Sequence, residues 1–452
     1  MSFWTWKDND HPAVVTAERT YTYKQLNVDI ASFSEQWAGD DKQLALLLCS
    51  NQYDVLVAYL SALRVGHAVM LLSADMDAGL LQRIIATYKP VWIYHSESFV
   101  GYKQQGKKLW RSEKAEAIKV HADLAVMLST SGTTGSEKFV RLSYRNIQSN
   151  AEAIAQYLEM DVSERGIANL PMSYSYGLSI INSHLAVGAT VLLTDMSVME
   201  RAFWSFVNEE WATSFAGVPF TYQMIQRIGF LKMDLPHLRM FTQAGGRLDE
   251  RLVRLFADYA KEHGKKFYVM YGQTEASPRI SYIPSDKALE KSGSIGVAIP
   301  GGSLQINMET SELIYRGENV MMGYAESIAD LAKGDECCGI LHTGDTATVD
   351  DDGYFTITGR LKRFVKLFGL RVNLDEVERR LEAELTCPVA CTGYDERLIV
   401  LIEAGQAIQM AKECLESVYH LHKSSFRIYE VERIPRLSNG KIDYVTIKDD
   451  YR

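Results

Sequence analysis

The sequence predicts an α/β protein with a large N-terminal domain of helix-covered, mostly parallel sheets, a β-barrel-like part, and a small α+β domain at the C-terminus. Over roughly the first 350 residues, apolar strand-like runs alternate with helix-like segments, an order that is typical of parallel sheets. Near residue 350 the pattern changes to a hairpin followed by a short α+β segment. The 452 residues are enough for more than one domain and for a sizeable hydrophobic core.

The first strand–helix–strand unit is predicted over residues 44–49, 53–66 and 68–72. Residues 44–49 (LALLLC) are all apolar, as expected for a strand that is buried on both faces, and the helix is predicted to stop at Gly66. The alternation then continues through a helix at 146–158 and strands at 166–170, 189–194, 215–218, 240–244 and 266–271.

The C-terminal part begins with a predicted β-hairpin. Residues 346–352 and 353–359 read as its two strands, around an Asp-Asp-Gly turn. The polar stretch GRLKR that follows is suited to a linker, so we expect domains at 1–360 and 361–452. Within the small domain the pattern predicts a helix at 374–385, a strand at 398–404 and a helix at 408–421.

Composition and charge exclude several classes of protein. Apolar residues make up 47% of the chain and charged residues 23%, which argues against disorder, collagen and a coiled-coil rod. The formal net charge of −9 does not suggest a nucleic-acid-binding protein. No window reaches the ~18 apolar residues of a membrane helix, and the N-terminus lacks the basic start of a signal peptide. We therefore expect a cytoplasmic protein without membrane insertion, whose six cysteines stay reduced.

The segment LSTSGTTGSEK at residues 128–138 has the composition of a phosphate-binding loop. Glycines allow backbone amides to approach an anion, hydroxyls donate hydrogen bonds, and a lysine supplies positive charge. The Walker pattern does not fit, because two residues separate Gly135 from Lys138 and no Ser or Thr follows the lysine. The segment therefore predicts a phosphate site of another kind, with a flexible Ser/Gly turn as the alternative.

Three further segments carry side chains suited to a nucleotide. In YGQTE, Tyr271 is suited to stacking on a purine, and Glu275 to Mg²⁺, which takes one or two protein carboxylates plus phosphate oxygens. Asp345, in HTGD, can accept hydrogen bonds from ribose hydroxyls. Lys441 lies in the glycine turn of RLSNGKID and is predicted to be a mobile cation.

In chain order, the segments TSGTTGSEK, LPMSYSYGLS, QAGGRL, YGQTEAS, RGENVMMGY, HTGD, GRLKRFVKLFGLRVNLDEVE and RLSNGKID resemble the motifs of the adenylate-forming family. That family includes acyl-CoA synthetases, the adenylation domains of nonribosomal peptide synthetases, D-alanine–carrier-protein ligases and firefly luciferase. The resemblance covers nearly the whole chain. It implies that a carboxylate and ATP form an acyl-adenylate with release of pyrophosphate, and that the acyl group then passes to a thiol. The small C-terminal domain would be mobile and would swing between the two steps.

The resemblance also implies roles for individual residues. The β- and γ-phosphates of ATP would be cradled by Thr130, Ser131, Gly132, Thr133, Thr134, Gly135 and Lys138. The adenine would be held by Ala244, Gly245, Gly246, Tyr271, Gly272 and Gln273, and the ribose by Asp345 and Arg360. Thr274 would contact the α-phosphate, Glu275 the Mg²⁺ ion, and Lys441 both the substrate carboxylate and the α-phosphate region. Lys362 would be the hinge residue.

By the same resemblance, the acid pocket would be lined by Tyr174, Ser175, Tyr176, Ser179, Gly217, Thr242, Ala244, Met270, Pro278 and Arg279. Ser175 stands where members that use α-amino acids usually have an aspartate, which argues against the ordinary amine site. Met270 stands where a small residue is common and would fill space, so we expect a small acid such as glycine, alanine or a short acyl group. Arg279 is expected to be exposed, with contact to a second carboxylate as the alternative.

The thiol acceptor is suggested by a narrower resemblance. The segments TSGTTGSEKFVRLSY and PMSYSYGLSIINSHL are similar to free-standing ligases of bacterial envelope and polysaccharide systems. This resemblance implies transfer to the phosphopantetheine thiol of a separate carrier protein. An acyl-CoA synthetase that uses free CoA and a non-catalytic nucleotide sensor remain as alternatives.

Overall fold

The computed structural model describes residues 2–37, 41–114, 118–129, 138–361, 363–367, 370–394, 397–403, 407–419, 421–437 and 440–451. The chain forms two compact units. The larger consists of Met1–Ser303 and Tyr315–Leu341, and the smaller of Leu304–Ile314 and His342–Arg452. The smaller unit includes residues 342–360, whereas the sequence predicts a domain boundary after residue 360. That boundary stays a prediction.

Eleven α-helices are present in the described part of the chain. They are α1 Tyr23–Ser34, α2 Tyr53–Arg64, α3 Ala78–Tyr88, α4 Tyr144–Tyr157, α5 Ser175–Ala186, α6 Arg201–Glu209, α7 Pro219–Arg227, α8 Glu250–Glu262, α9 Leu374–Leu385, α10 Ile408–Ser417 and α11 Tyr444–Asp450. Short 3₁₀ turns occur at Glu35–Trp37, Phe230–Lys232, Thr274–Ala276, Ser285–Lys287, Ile328–Ala332 and Lys423–Ser425. Among the helices within the described ranges, none has both the length and the apolar character needed to cross a bilayer.

The strands are also numbered in chain order. The first thirteen are β1 Pro12–Val15, β2 Thr20–Thr22, β3 Leu44–Cys49, β4 Ala68–Ser73, β5 Trp92–Tyr94, β6 Tyr102–Gln104, β7 Leu109–Ser112, β8 Leu124–Ser129, β9 Phe139–Ser143, β10 Arg165–Ala168, β11 Thr190–Leu193, β12 Ser214–Gly217 and β13 Met240–Gln243. The others are β14 Lys266–Gly272, β15 Arg279–Ile283, β16 Val297–Ala298, β17 Ser303–Ile306, β18 Glu312–Arg316, β19 Gly323–Ala325, β20 Ile340–Val349, β21 Phe355–Arg360, β22 Phe364–Leu367, β23 Leu370–Asn373, β24 Val389–Tyr394, β25 Arg397–Ile402 and β26 Phe426–Glu430.

Two large sheets dominate the larger unit. The nine-stranded sheet has the order β16-β15-β14-β13-β12-β10-β11-β1-β2, and its neighbours from β14 to β1 pair in parallel. The eight-stranded sheet has the order β19-β9-β8-β4-β3-β5-β7-β6, with a parallel centre formed by β8, β4, β3 and β5. The parallel centres of the two sheets confirm the predicted α/β architecture, and antiparallel pairs, three in the nine-stranded sheet and four in the eight-stranded sheet, complete the ends.

The apolar strand β3 shows why the sequence folds this way. Leu47 and its alternate neighbours join a core cluster that also contains Val191 of the other large sheet and Ile181 of α5. Leu46 and its alternate neighbours point into a separate cluster with Ile84 of α3. Since successive side chains of a strand point to opposite faces, a strand buried on both faces must be apolar throughout.

Helix α4 begins at a capping box that the sequence encodes locally. The Ser143 side chain accepts a hydrogen bond from the Asn146 backbone N–H at 3.0 Å, and the Asn146 side chain accepts one from the Ser143 N–H at 2.8 Å. This reciprocal arrangement satisfies two backbone donors at the helix start. It fixes the point at which strand β9 turns into the helix that carries Tyr157 at its end.

The smaller unit has three β-elements. A four-stranded sheet in the order β17-β18-β20-β21, whose residues belong mostly to this unit, is followed by the hairpin β22–β23 and the sheet β24-β25-β26. Strands β20 and β21 pair antiparallel, which confirms the predicted hairpin. Helices α9 and α10 pack on the three-stranded sheet through a core that includes Val377, Val400 and Leu415.

The helices and strands named from the sequence are present, with ends that differ by a few residues. The clearest difference is the first strand of the hairpin, predicted at 346–352, which begins at Ile340 and ends at Val349 in β20. The helix predicted at 408–421 ends at Ser417 in α10. The strand predicted at 398–404 is β25, which ends at Ile402. Such differences arise because the last residues of an element are decided by local caps and packing rather than by periodicity.

Candidate active site

The carboxyl ends of three neighbouring parallel strands lie at one edge of the nine-stranded sheet. Strands β12, β13 and β14 pair in register and end at Gly217, Gln243 and Gly272. Ligands of open α/β sheets bind outside the carboxyl ends of the strands, so this edge is the natural place for a site. The two segments that the sequence assigns to adenine, 244–246 and 271–273, both lie here.

Gly245 and Tyr174 are in close contact at this edge. Gly245 has a φ of +85°, and a Cβ added to it would lie 2.5 Å from the Tyr174 hydroxyl oxygen. A side chain is therefore excluded twice, by the left-handed backbone and by the tyrosine. Burial raises the pKa of Tyr174 to about 12, while the charge of Arg279 acts in the opposite direction. Tyr174 is thus a neutral phenol at ordinary pH.

The 3₁₀ turn Thr274–Ala276, which follows β14, joins two parts of the site. The hydroxyl of Thr274 lies 3.1 Å from that of Ser175, the first residue of α5. The next residue, Glu275, accepts a hydrogen bond from the Tyr324 hydroxyl at 2.9 Å. One turn therefore holds a hydroxyl pair on one side and a carboxylate on the other.

Lys138 lies on the carboxylate side of that turn. Its ammonium group lies 3.8 Å from the centre of the Tyr324 ring and 3.1 Å from a carboxylate oxygen of Glu326. The same tyrosine thus contacts Lys138 through its ring and Glu275 through its hydroxyl. Two of the residues assigned from the sequence are brought together by Tyr324, the last residue of the RGENVMMGY motif, to which the sequence assigns no role.

The phosphate-loop residues Thr130, Ser131, Gly132, Thr133, Thr134 and Gly135 lie outside the described residues, as does the hinge residue Lys362. The strands on either side of the loop are described. Strand β8 pairs antiparallel with β9, with Ser129 opposite Phe139. The segment therefore joins two adjacent antiparallel strands, whereas a Walker loop leads from a strand into a helix, in agreement with the mismatch to the Walker pattern.

Glu275 fits the magnesium role that was assigned to it. Tyr324 holds one carboxylate oxygen, and none of the described residues donates a hydrogen bond to the other. The described ranges hold no group of three or more His, Cys, Asp or Glu side chains arranged around a metal position. A single carboxylate with one free oxygen matches Mg²⁺ that takes most of its ligands from phosphates and water.

Helix α5 carries the residues on the other side of the Thr274–Ala276 turn. Ser175, Ser179 and Ser183 are four residues apart and therefore share one face of the helix. A cavity of about 30 Å³ opens further along this helix. It is lined by Ile154, Leu158, Ile167, Tyr176, Ser179, Ile180, Ser183, His184, Ser214, Phe215, Ala216, Met240, Thr242, Met270 and Arg279.

Several of the residues assigned to the acid pocket line this cavity. They are Tyr176, Ser179, Thr242, Met270 and Arg279. Tyr174, Ser175, Gly217, Ala244 and Pro278 do not line it. Ser175 instead meets Thr274, and Gly217 and Ala244 are joined by a backbone hydrogen bond of 3.2 Å at the strand ends. The assigned set is therefore divided between the cavity and the strand ends.

Arg279 corrects the expectation of an exposed arginine. It is only 2% exposed and lines the cavity. Its guanidinium donates to the Tyr157 hydroxyl at 3.2 Å and to the Ser179 hydroxyl at 3.3 Å, and it lies 4.7 Å from the centre of the Tyr176 ring. The expectation failed because residues more than 100 positions away along the chain cover this side chain, as the separation from Tyr157 shows.

His184 is the buried core histidine that its apolar surroundings predict. Its Nδ1 lies 2.7 Å from the Ile180 carbonyl oxygen, which can only accept, so Nδ1 carries the proton. Nε2 then accepts from the Ser214 hydroxyl at 3.2 Å. Burial lowers the pKa of His184 to about 4, and the Ile180 hydrogen bond acts in the opposite direction. The ring is therefore neutral at pH 7 and adds no charge to the cavity.

Three assigned residues lie in the smaller unit. Asp345 is buried and stands directly opposite Arg360 on paired strands, with 3.2 Å between Oδ1 and Nε. Lys441 is half-buried in a turn in which the Leu437 N–H donates to the Lys441 carbonyl at 2.8 Å. The turn is closed by a bridge between Arg436 and Ile442.

The chain is similar to a known protein family and to individual members with known names. The family model described as "AMP-binding enzyme" matches residues 4–325. A feruloyl-CoA synthase of Amycolatopsis sp. is 31% identical over 273 residues, which are 57% of this chain and 54% of that protein. The match therefore spans about half the length of this relative.

A second relative and a solved structure match over nearly the whole chain. The D-alanine–D-alanyl carrier protein ligase of Staphylococcus epidermidis is 23% identical over 470 residues, covering 96% of this chain and 95% of that protein. The O-succinylbenzoate coenzyme A synthetase (MenE) of Bacillus subtilis, in complex with ATP and a magnesium ion, superposes with a TM-score of 0.77 at 20% identity, covering 97% of both chains. At 20% identity, this similarity shows a shared fold only.

Proposed function

Because the chain belongs to the AMP-binding enzyme family, we propose that it is an ATP-dependent, AMP-forming acid–thiol ligase. The observation that carries the proposal is the Thr274–Ala276 turn. On one side Glu275 accepts a hydrogen bond from Tyr324, whose ring is contacted by Lys138, and on the other Thr274 lies against Ser175 at the start of the helix that leads to the cavity. In this proposal, the residues that would bind phosphate and those that would bind the acid meet at one turn.

The reaction needs positioning and charge neutralisation rather than a protein nucleophile. A carboxylate oxygen of the acid attacks the α-phosphorus of ATP, an acyl–phosphate bond forms, and the bond to pyrophosphate breaks. Lys138 would neutralise phosphate charge, and the Thr274 hydroxyl would donate to an α-phosphate oxygen. Glu275 would hold Mg²⁺, which supplies further neutralisation of phosphate charge. Asp345 and Arg360 would bind the ribose, and Lys441 would approach the reacting carboxylate.

In the second step, a thiol attacks the acyl carbonyl and AMP leaves. We propose that this thiol is the phosphopantetheine of a separate carrier protein. The match to the D-alanine–D-alanyl carrier protein ligase over 96% of the chain supports this acceptor. Free CoA is the second candidate, and the higher identity to the feruloyl-CoA synthase over a shorter stretch favours it. Product analysis with CoA and with a pantetheinylated carrier protein separates the two.

The acid is proposed to be small, either an amino acid such as glycine or alanine or a short acyl group. Met270 supports this proposal, because it is buried, lines the cavity and is held by a hydrogen bond of 2.8 Å from the Tyr157 hydroxyl to its sulfur. A cavity of about 30 Å³ is close to the space of one or two water molecules. A long acyl chain or an aromatic ring does not fit without rearrangement.

ATP–pyrophosphate exchange with a panel of small carboxylic acids tests the proposed function. We expect exchange that depends on one class of acid and that falls by about 10²-fold or more in Lys441→Ala, because a cation at the developing charge is lost. Lys448→Ala, an exposed lysine in α11, is the matched control and should behave like the wild type. Nucleotide binding without exchange for any acid would instead favour a nucleotide sensor, and exchange at the wild-type rate in Lys441→Ala would remove that lysine from the mechanism.

A further inference from the structure

The cavity beside helix α5 contains a buried positive charge without a matching negative one. Arg279 is 2% exposed, and an arginine side chain carries a positive charge in proteins. Within the described ranges, neither an Asp nor a Glu side chain lies within ion-pair distance of it, and its polar contacts are the neutral hydroxyls of Tyr157 and Ser179. Burying a charge costs free energy unless the charge is paired, so this arrangement favours the binding of an anion beside Arg279.

The other titratable groups of the cavity do not supply that anion. Burial raises the pKa values of Tyr157 and Tyr176, so both are neutral phenols at pH 7, although the charge of Arg279 acts against this shift. His184, on the same cavity wall, is neutral because burial lowers its pKa to about 4. The ring of Tyr176 offers its face to the guanidinium, which compensates part of the desolvation but leaves the positive charge in place.

The position of Arg279 places this charge at the far end of an acid bound at the Thr274–Ala276 turn. Ser175 contacts Thr274, and Ser179, one turn further along α5, contacts Arg279. The rise of 1.5 Å per residue separates these two levels by ~6 Å. A group that reaches from one level to the other is only a few carbon atoms long. The cavity volume of about 30 Å³ leaves room for one small terminal group.

We propose that the acid activated by this protein carries a second anionic group that pairs with Arg279, and that the substrate is a short dicarboxylic acid of roughly three to five carbons. This inference rests on the proposed ligase function and names its substrate class. One carboxylate attacks the α-phosphorus and displaces pyrophosphate, while the other stays ionised on the guanidinium and is unchanged in the product. Glycine and alanine do not meet this requirement, because their only additional group is an ammonium.

The test compares acids of equal shape and different charge. ATP–pyrophosphate exchange is measured with malonate, succinate and glutarate, with succinamate as the neutral counterpart of succinate, and with butyrate, glycine and alanine. We expect one dicarboxylate to give a kcat/KM about 10–100-fold above that of its monoamide or monoacid counterpart, the range of a hydrogen bond to a charged group. Exchange that prefers butyrate, glycine or alanine over every dicarboxylate would overturn the inference but leave the ligase function intact.

Variants of Arg279 test whether the preference for a dicarboxylate depends on the charge of this side chain. In Arg279→Gln, the preference for the dicarboxylate over its monoamide should disappear, mainly through a higher KM for the acid, and Arg279→Lys should restore part of it because a cation returns without the planar fork. Arg227→Gln, at an exposed position of α7, is the control and should keep the wild-type preference. If Arg279→Gln does not fold, the wild-type charge series decides alone. Silence with all acids would count against the ligase function itself, which separates that failure from the failure of the inference.

Discussion

The two sides of the Thr274–Ala276 turn hold their cations in different ways. Lys138 keeps a side chain that is 39% exposed and pairs with Glu326, whereas Arg279 is 2% exposed and has neutral neighbours. An exposed ammonium is stabilised by water and by a nearby carboxylate whether or not a ligand is bound. A buried guanidinium has neither, so its surroundings favour a ligand that brings a negative charge. A positive charge on one side of the turn is thus already neutralised by a carboxylate, while the positive charge on the other side is not.

The largest effect is expected from Glu275→Gln, on the half-exposed side of the turn, where Lys138 and Tyr324 lie. The amide keeps the size of the side chain and can still accept the Tyr324 hydrogen bond, but it removes the negative charge that Mg²⁺ requires. Adenylation should fall on the order of 10²–10³-fold, as when one electrostatic contribution to the transition state is lost. Pyrophosphate exchange gives the rate, and calorimetric titration of ATP with and without Mg²⁺ should show that the magnesium-dependent part of the affinity is lost.

The matched control for that prediction is Glu318→Gln. Glu318 is an exposed carboxylate whose side chain pairs with Arg145 and not with a residue of the Thr274–Ala276 turn. Its exchange rate and its magnesium dependence should equal those of the wild type. If Glu275→Gln kept full magnesium-dependent binding, Glu275 would not be the metal ligand. The Lys138 side of the turn would then not be the side that binds Mg²⁺ through this carboxylate.

An intermediate effect is expected from His184 on the cavity side, as a dependence of stability on pH. The pKa of His184 is lowered to about 4 in the folded protein and has its ordinary value near 6.5 when unfolded, so only the unfolded chain takes up a proton between these values. The stabilisation is therefore complete above about pH 6.5 and is lost as the pH falls towards 4, by about 3 kcal/mol. Urea unfolding at pH 7 and pH 5 measures this loss, which should be smaller in His184→Gln.

The control for this pH dependence is His422→Gln, which changes an exposed histidine of the smaller unit. It should leave the difference in unfolding free energy between pH 7 and pH 5 as it is in the wild type. An unchanged difference in His184→Gln would mean that the cavity is wet enough for the imidazole to titrate normally. The contrast between the buried Arg279 side and the half-exposed Lys138 side of the turn would then be lost.

The smallest effect is expected from Tyr157→Phe, which removes the hydroxyl that accepts from Arg279 and donates to Met270. The loss of one hydrogen bond to a charged group should raise the KM for the acid by about 10-fold with little change in kcat or in the KM for ATP. Tyr268→Phe is the control, because among the described residues its hydroxyl makes no hydrogen bond. A loss confined to kcat would mean that Tyr157 acts on the reaction rather than on the position of Arg279.

Much of the fold could be predicted because its signals are local. The strand β3 is apolar at each position, α4 begins at a Ser-x-x-Asn box, and the turn between β20 and β21 contains Asp-Asp-Gly. The residues of the half-exposed side also lie in short motifs, since Lys138 ends a Ser/Thr/Gly segment and Glu275 lies within YGQTE. Neighbours along the chain determine these features, so the sequence reveals them without knowledge of the packing.

The sequence by itself therefore determined the mostly parallel sheets, the positions of the charged motifs and the family. It did not determine the state of Arg279, because an arginine at the start of a strand is more often exposed. Only the tertiary structure decided its burial, through Tyr157 at the end of α4, Ser179 on α5 and the ring of Tyr176. The physical reason is that the energy of a charge depends on the solvent and partners around it, and those are set by residues far away along the chain.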